Sequence, residues 1–332
     1  MSFKTATSNI KPLLKAARRI VAYSLLCLLV LLGAFSAYLF VPVMSDPTPG
    51  FAQRKGELAR VIVTKEWRQN GVVFSEITLV SSSGLDLELT LRRPGGTGRR
   101  KPAMILLGGH RTGRDAASLA ANAEAVVIAA LSYPYRGKHH LRGFEIIPAI
   151  PDIQQAIVDT APATMLALDF LLQQPDVDPL RVELVGVSLG AFLGATPGAL
   201  DERFKRVWLV QGAGEPADVF EHKLRDGIRF APARHLIANT IAALIYSHYL
   251  KPELWVGKIS PRPVIVINTR GDEAFPDSSV SVLHQALGKQ SEVIWAKGRH
   301  IRPTRTDVVE QLSNIVLQRI SQGELGENPE NQ

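Results

Sequence analysis

The sequence of 332 residues predicts an α/β fold: a mostly parallel central sheet, antiparallel strands at its N-terminal edge, helices on both faces and a small helical cap. Two observations support this prediction. From Pro102 onward, short apolar segments alternate with segments of helical periodicity, which is the pattern of parallel strands joined by helices. From Arg60 to Arg93, turn signals separate segments with alternating apolar residues, which is typical of antiparallel strands.

Composition divides the chain into successive segments. We predict a basic head at residues 1–19, an apolar membrane segment at 20–44, a turn-rich linker at 45–58, the α/β domain at 59–320 with a cap insertion at 213–259, and a flexible polar tail at 321–332. With 46% hydrophobic residues, the chain can build a full core.

The apolar segment is predicted to be a single-pass membrane anchor. Residues 20–44 carry no charged side chain and are long enough to cross a bilayer core of about 30 Å. Because the head has only basic charges, we expect a cytoplasmic N-terminus and an exported domain. The alternative is a secreted domain released by signal cleavage near Ala34-Phe35-Ser36.

The charge and the cysteine count exclude two classes of function. Five of the basic residues lie in the head, so the formal net charge of +7 falls to +2 for the rest of the chain, and we expect no nucleic-acid partner. Cys27 is the only cysteine and lies in the anchor, so the exported domain would use neither disulfides nor thiol chemistry.

Turn signals and apolar runs place the individual elements. Asn70-Gly71 predicts a hairpin between Val61–Val63 and Val72–Phe74, and Ser83-Gly84 predicts a turn before the alternating strand Leu85–Leu91. Buried strands are expected at 103–107, 126–131, 182–187, 207–210, 264–268 and 293–296. Helices are expected at 115–124, 153–174, 189–195, 278–287 and 306–321.

The most informative motif is Gly186-Val187-Ser188-Leu189-Gly190. It follows an apolar strand and precedes a helical segment rich in small residues. Glycines on both sides let the backbone turn sharply enough to present Ser188 at the sheet edge as a nucleophile. The amide of Leu189, at the start of the helix, could then stabilise developing negative charge.

A serine nucleophile needs a base, and the base needs an orienting acid. Asp272 follows the strand 264–268, and His300 follows the strand 293–296, so both should reach the same sheet edge as Ser188. Their order after the serine is the one expected with this type of turn. Glu273 is an alternative acid. His284 is the other histidine after Asp272, but we expect it to pack within a helix.

The loop after the first buried strand should supply a second oxyanion donor. Gly108-Gly109 allows close approach to a substrate carbonyl. We assign the second donor to the backbone N–H of His110, with that of Arg111 as the alternative. A plain turn is the competing interpretation of this loop.

Charged residues near the same edge suggest a substrate contact but no metal. Arg111 and Arg136 are candidates for binding an anionic part of the substrate, although such arginines can also be ordinary solvated surface residues. His139-His140 lacks spaced carboxylate or cysteine partners, so we predict neither a metal nor another cofactor.

Several motifs together give the chain a resemblance to a known superfamily. From about residue 70 to 320 it resembles the α/β hydrolases, in the style of the dienelactone hydrolase and acetyl-xylan-esterase-like branch. The motifs that carry this resemblance are Leu107–Gly109, Tyr133–Gly137, Val177–Arg181, Gly186–Gly190, Asp272–Pro276 and Gly298–His300. The resemblance implies Ser188 as nucleophile, Asp272 as acid and His300 as base. Dienelactone hydrolases proper use a cysteine nucleophile, so dienelactone activity itself is not expected.

These residues predict a serine hydrolase that cleaves a small-molecule acyl ester through an acyl-enzyme. Alternatives on the same fold are an acyltransferase, a peptidase or thioesterase, and a non-catalytic hydrolase-like binding protein. The apolar stretch Arg234–Tyr246 in the cap is too short to span a membrane. It could wall an acyl-binding pocket or be a surface helix docked on the sheet.

Overall fold

The computed structural model describes residues 10–95, 100–109, 112–120, 123–138, 141 and 143–322. The described residues divide into two units, with the boundary between Ser45 and Asp46. The predicted second oxyanion donor His110, its alternative Arg111, the His139-His140 pair and residues 323–332 of the predicted tail lie outside the described residues.

The N-terminal unit is built on one long helix, α1 (Ile10–Phe40). Its segment Leu14–Phe40 has 27 residues, and the most apolar 18-residue stretch of that segment has a mean hydropathy of 2.4 and no buried residue. It is therefore long and apolar enough to cross a membrane. In the described part of the chain, the segment Gly143–Leu172 meets the same length and hydropathy criteria, but 67% of its most apolar stretch is buried, as in the core helix of a soluble domain.

The second unit contains a sheet in which the nine strands of the described residues have the order β1-β2-β3-β5-β4-β6-β7-β8-β9. The strands β4 to β9 are parallel, whereas β1, β2 and β3 are joined antiparallel to one another and to β5, as the sequence predicts. The strand bounds are β1 Leu58–Gln69, β2 Val72–Ser81, β3 Asp86–Arg93, β4 Lys101–Leu107, β5 Val127–Leu131, β6 Val177–Val187, β7 Val207–Val210, β8 Val264–Thr269 and β9 Ser291–Ala296.

Apolar side chains cover both faces of this sheet. Successive residues of a strand point to opposite faces, so in β4 Ile105 and Leu107 join one core cluster while Met104 and Leu106 join another. Burial on both faces explains why the parallel strands are continuous apolar runs. The helices that complete the layers are α2 Phe51–Lys55, α3 Ala116–Leu119, α4 Ile146–Leu172, α5 Leu189–Leu200, α6 Pro216–Leu224, α7 Ala231–Leu244, α8 Ser247–Leu250, α9 Asp277–Gln285 and α10 Thr306–Gln322.

Two helices differ in extent from the prediction. Among the described residues of the segment predicted as a helix over 115–124, only the single turn α3 is α-helical, because Ala120 leaves the helical region with ψ at 82°. Helix α4 begins seven residues earlier than predicted, at Ile146. Pro148 falls in its first turn, where a missing amide hydrogen costs no helical hydrogen bond.

The predicted linker and cap also differ from what the structure shows. Within residues 45–58, helix α2 docks on the α/β unit: Phe51 is buried, and the Arg54 guanidinium makes two hydrogen bonds of 2.6 and 2.7 Å to Asp159. In the segment 213–259, helices α6, α7 and α8 follow β7, but Val256 and Ile259 belong to the main core beneath the sheet. The last part of the predicted insertion is therefore core, because its apolar side chains fill space beside α5.

Candidate active site

Ser188 occupies a strained turn between β6 and α5. Its backbone has φ 54° and ψ −107°, a left-handed φ that a residue with a side chain rarely adopts. The flanking glycines permit this turn, since a Cβ atom on Gly186 would stand 2.2 Å from the carbonyl oxygen of Gly190. The backbone amide of Ser188 donates to the carbonyl of Val210, 2.9 Å away, which holds the turn against the neighbouring strand.

Ser188, His300 and Asp272 form a continuous chain of hydrogen bonds. The Oγ atom of Ser188 lies 2.8 Å from Nε2 of His300. On the other side of the ring, Nδ1 lies 2.8 Å from Oδ2 and 3.0 Å from Oδ1 of Asp272. A carboxylate can only accept hydrogen bonds, so it favours the tautomer with a proton on Nδ1, which leaves Nε2 free to accept the serine proton. The geometry is that of a nucleophile, a base and an orienting acid.

The parallel register of the sheet brings these three residues together. Val187 of β6 pairs with Val210 of β7, and Thr269 of β8 pairs with Ala296 of β9. The carboxyl ends of these strands therefore lie at one edge, where the loops carrying the three side chains begin.

The wall beside the imidazole is aromatic. The ring of Phe275 meets that of His300 edge-on at 4.9 Å and that of Phe192 at 5.6 Å. The ammonium of Lys223 on α6 lies 5.6 Å from the centre of the Phe275 ring. Burial lowers the pKa of Lys223, and the nearby charge of Asp272 opposes that change. His300 itself is 8% exposed.

Glu273, the alternative acid, contacts the backbone of the histidine loop. Its Oε2 accepts the amide hydrogen of His300 at 3.0 Å, and its Oε1 lies 2.7 Å from the guanidinium of Arg305. Partial burial acts to raise the pKa of Glu273, but the hydrogen bonds from Arg305 and His300 outweigh it and lower the pKa to about 2. Glu273 is thus an ionised carboxylate that holds the loop, and Asp272 is the acid placed at the ring.

His284, the other downstream histidine, packs away from Ser188. Its Nε2 is 2.9 Å from Oδ1 of Asn268, and its ring meets that of Trp295 at 5.6 Å. Burial lowers its pKa, which suits a neutral imidazole in a helix that covers the sheet. The expectation that this histidine packs within a helix agrees with its position in α9.

Of the two predicted oxyanion donors, Leu189 lies in the described part of the chain, and His110 follows its neighbouring described residue Gly109. Leu189 is the first residue of α5, so its amide has no acceptor four residues earlier within the helix. A Cβ atom on Gly109 would stand 4.0 Å from Cβ of Ser188, which places the loop after β4 beside the nucleophile. The hydroxyl of Tyr133 donates to the carbonyl of Gly108 and so ties this loop to the segment after β5.

Of the two arginines predicted to contact substrate, Arg136 lies in the described part of the chain, near a carboxylate. Arg136 is 75% exposed and lies 3.5 Å from Asp86. Arg114 pairs with Glu76 and Glu88. Among the described residues, no group of three or more histidine, cysteine, aspartate or glutamate side chains could hold a metal ion. Arg136 is thus largely exposed beside Asp86, and its contact with substrate stays a prediction.

Gln211 is a residue at this site that the sequence analysis missed. It follows β7, is fully buried, and its side-chain amide contacts the backbone on both sides of His300. No motif surrounds it. The sequence feature that could have indicated Gln211 is its position directly after the buried strand β7, at the sheet edge where the loops of Ser188 and Asp272 also begin.

Comparison with solved structures identifies the fold. An acetyl xylan esterase from Thermoanaerobacterium matches over 82% of this chain and 94% of its own, with 16% identity and a TM-score of 0.57. An acetyl xylan esterase from Paenibacillus matches over 81% of this chain and 92% of its own, with 17% identity and a TM-score of 0.59. A 2,6-dihydroxy-pseudo-oxynicotine hydrolase matches over 75% and 68%, with 16% identity and a TM-score of 0.53.

The chain has the predicted α/β-hydrolase fold, and acetyl xylan esterases are among the solved structures that share it. No protein-family model matches the sequence. No curated protein sequence matches it either. At these identities the similarity establishes the fold, while the activity has to be argued from the residues of the site.

Proposed function

We propose that this protein is a serine hydrolase that cleaves small carboxylic esters through an acyl-enzyme. The observation that carries the proposal is the hydrogen-bonded chain from Ser188 through His300 to Asp272 at the end of a strained turn. The names of the structural relatives, acetyl xylan esterases and another hydrolase, favour ester cleavage among the reactions of this fold.

The geometry supports a two-step reaction. Nε2 of His300 takes the proton of Ser188 as Oγ attacks the ester carbonyl, and Asp272 stabilises the imidazolium that forms. The imidazolium then protonates the departing alcohol, which leaves an acyl group on Ser188. In the second step the same Nε2 takes a proton from water as the water attacks the acyl carbonyl. The imidazolium then returns that proton to Oγ of Ser188 as the acid leaves.

Backbone donors would stabilise the charged intermediate. The amide of Leu189 is the first donor, because it is free at the start of α5 beside Ser188. The second is the amide of His110, in the loop that continues from Gly109 next to the serine. One such donor is typically worth roughly 10²- to 10³-fold in kcat.

We also propose that α1 tethers the enzyme to a membrane with its N-terminus in the cytoplasm. The most apolar 18-residue stretch of the helix has a mean hydropathy of 2.4, and the basic residues Lys15, Arg18 and Arg19 lie near its N-terminal end. This arrangement favours retention of the basic end on the cytoplasmic side and export of the α/β domain. A C-terminal alkaline phosphatase fusion should be active and a cytoplasmic reporter fusion inactive; the reverse pattern would contradict the orientation.

The proposed activity is tested by labelling the purified full-length protein with a fluorophosphonate probe. The parent should label and hydrolyse 4-nitrophenyl acetate, while Ser188→Ala and His300→Ala should do neither. Ser118→Ala, an exposed serine on α3, is the matched control and should behave like the parent. An unlabelled, inactive parent would refute the proposal. Adding alcohols to the assay separates hydrolysis from acyl transfer, since a transferase would form the new ester.

A further inference from the structure

Gln211 has an unfavourable backbone conformation that the fold nevertheless keeps. It follows the last residue of β7 with φ at 48°, in the left-handed region that favours glycine, and its side chain is fully buried. Strained residues persist where surrounding contacts require them, and they cluster at functional sites. In this conformation the Gln211 side chain makes hydrogen bonds to three other residues.

The amide of Gln211 bridges the two peptide groups that flank His300. Its Oε1 accepts the amide hydrogen of Ile301 at 2.6 Å, and its Nε2 donates to the carbonyl of Arg299 at 3.1 Å. These partners determine the orientation of the amide, because a flipped group would place its NH₂ against the N–H of Ile301. The second hydrogen on Nε2 is directed to Oγ1 of Thr269, 2.6 Å away.

The backbone around Gln211 is tied to the other two members of the site. Its own amide donates to the carbonyl of Ile267 in β8, at 2.6 Å, and β8 leads directly to Asp272. The carbonyl of the preceding residue, Val210, accepts from the amide of Ser188 at 2.9 Å. Residues Val210 and Gln211 thus connect the loop that carries His300 both to β8, which precedes Asp272, and to the turn that carries Ser188.

Two further side chains, Glu273 and Arg305, hold the backbone of His300 itself. The amide of His300 donates to Glu273, and its carbonyl accepts from the Arg305 guanidinium at 2.6 Å. With Gln211 present, each of these four polar groups around His300 has a protein partner. Loss of the Gln211 side-chain amide removes the protein partner of the part-buried N–H of Ile301 and C=O of Arg299, so the histidine loop is held less firmly.

We propose that Gln211 is a positioning residue for His300: it holds the imidazole within hydrogen-bond distance of Ser188. This inference rests on the proposed function, because positioning matters only if His300 serves as the base. A displacement of about 1 Å in such a group can cost on the order of 10²-fold in rate, even when substrate binding is unchanged. The effect should therefore appear in kcat and not in KM.

The test compares Gln211→Met and Gln211→Glu with the parent full-length protein on 4-nitrophenyl acetate. Methionine keeps the volume and removes every side-chain hydrogen bond of Gln211, so we expect kcat to fall about 10- to 100-fold with KM unchanged. Glutamate keeps an acceptor for Ile301 but turns an oxygen toward the Arg299 carbonyl and brings a charge into a fully buried position, so kcat should fall with this variant too. The rate of labelling of Ser188 by a fluorophosphonate should fall in parallel with kcat/KM.

Thr164→Val is the matched control, because Thr164 is fully buried and hydrogen-bonded within α4, away from the site. It should alter the melting temperature but not kcat. Equal activity of the parent and a folded Gln211→Met would overturn the inference, as would a change confined to KM. Failure of both Gln211 variants to fold would also overturn the inference, because it would show that Gln211 is required for folding of the whole domain and not specifically for the position of His300. A parent without activity or labelling would instead refute the proposed function.

Discussion

The backbone of Gly190 packs directly against the carbonyl oxygen of Leu107. A Cβ atom added to Gly190 would stand 2.0 Å from that oxygen, and no Cβ contact in a stable protein is so short. The contact joins the first turn of α5 to the end of β4, which lies next to β6 in the sheet. The second glycine of the motif is therefore needed to seat the helix that presents Ser188.

Gly190→Ala should disrupt the turn of the nucleophile, because backbone atoms cannot move away as a flexible side chain can. We expect loss of fluorophosphonate labelling together with a lower melting temperature. Gly194→Ala lies one turn later in α5, and its Cβ would meet Leu107 Cδ1 at an ordinary 3.6 Å. This control should label normally; if the two variants behave alike, the close contact does not matter for the site.

Asp272→Asn should reduce kcat roughly 10³- to 10⁴-fold, because an amide at the imidazole favours the wrong tautomer. Glu273→Gln is the neighbouring control: it keeps an acceptor for the His300 amide and leaves Asp272 in place, so we expect a loss below about 10-fold. Steady-state kinetics on 4-nitrophenyl acetate measures both. A larger loss in Glu273→Gln than in Asp272→Asn would assign the role of acid to Glu273.

Stability should depend on pH through Glu273. The pKa of this carboxyl falls from 4.5 to about 2 on folding, so between these values the unfolded chain binds the proton and the folded protein does not. The contribution is thus fully present above pH 4.5 and is lost as the pH falls toward 2. Urea unfolding of the parent and of Glu273→Gln should show a difference that shrinks over this range. A constant difference would contradict the ion pair with Arg305.

Arg206→Met should destabilise the protein strongly. Arg206 and Glu183 are almost fully buried, with guanidinium-to-carboxylate distances of 2.7 and 2.9 Å, and the indole of Trp208 donates to the same carboxylate at 2.6 Å. Removing the arginine leaves a buried carboxylate without its countercharge, which costs about 3–5 kcal/mol in the free energy of unfolding.

Lys65→Met provides the comparison for Arg206→Met, since the Lys65 side chain is 64% exposed and its ion pair with Glu76 spans 3.9 Å. Its loss should cost no more than about 1 kcal/mol. Chemical unfolding measures both values. Similar costs for the two variants would show that the buried network contributes no more than a surface pair.

Much of the fold follows from local patterns. Apolar runs bounded by turn residues locate the strands, because a parallel strand covered on both faces must be apolar along its length. The hairpin at Asn70-Gly71 follows from turn chemistry in the same way, and both residues have positive φ. Other features were not predictable, because they depend on the space that distant segments leave. They are the extents of α3 and α4, the docking of α2 through Phe51 and the core position of Val256.

The chain by itself determined the class of fold, the strand–turn–helix around Ser188 and the apolar N-terminal helix, since periodicity and glycine spacing act over a few residues. It also supplied Asp272 and His300 in order, at the ends of successive strands. Only the tertiary structure distinguished Asp272 at the imidazole from Glu273 at the His300 amide, and only it revealed Gln211. Those differences arise from the directions of side chains in loops, which are set once the strands pair in register and their carboxyl ends meet.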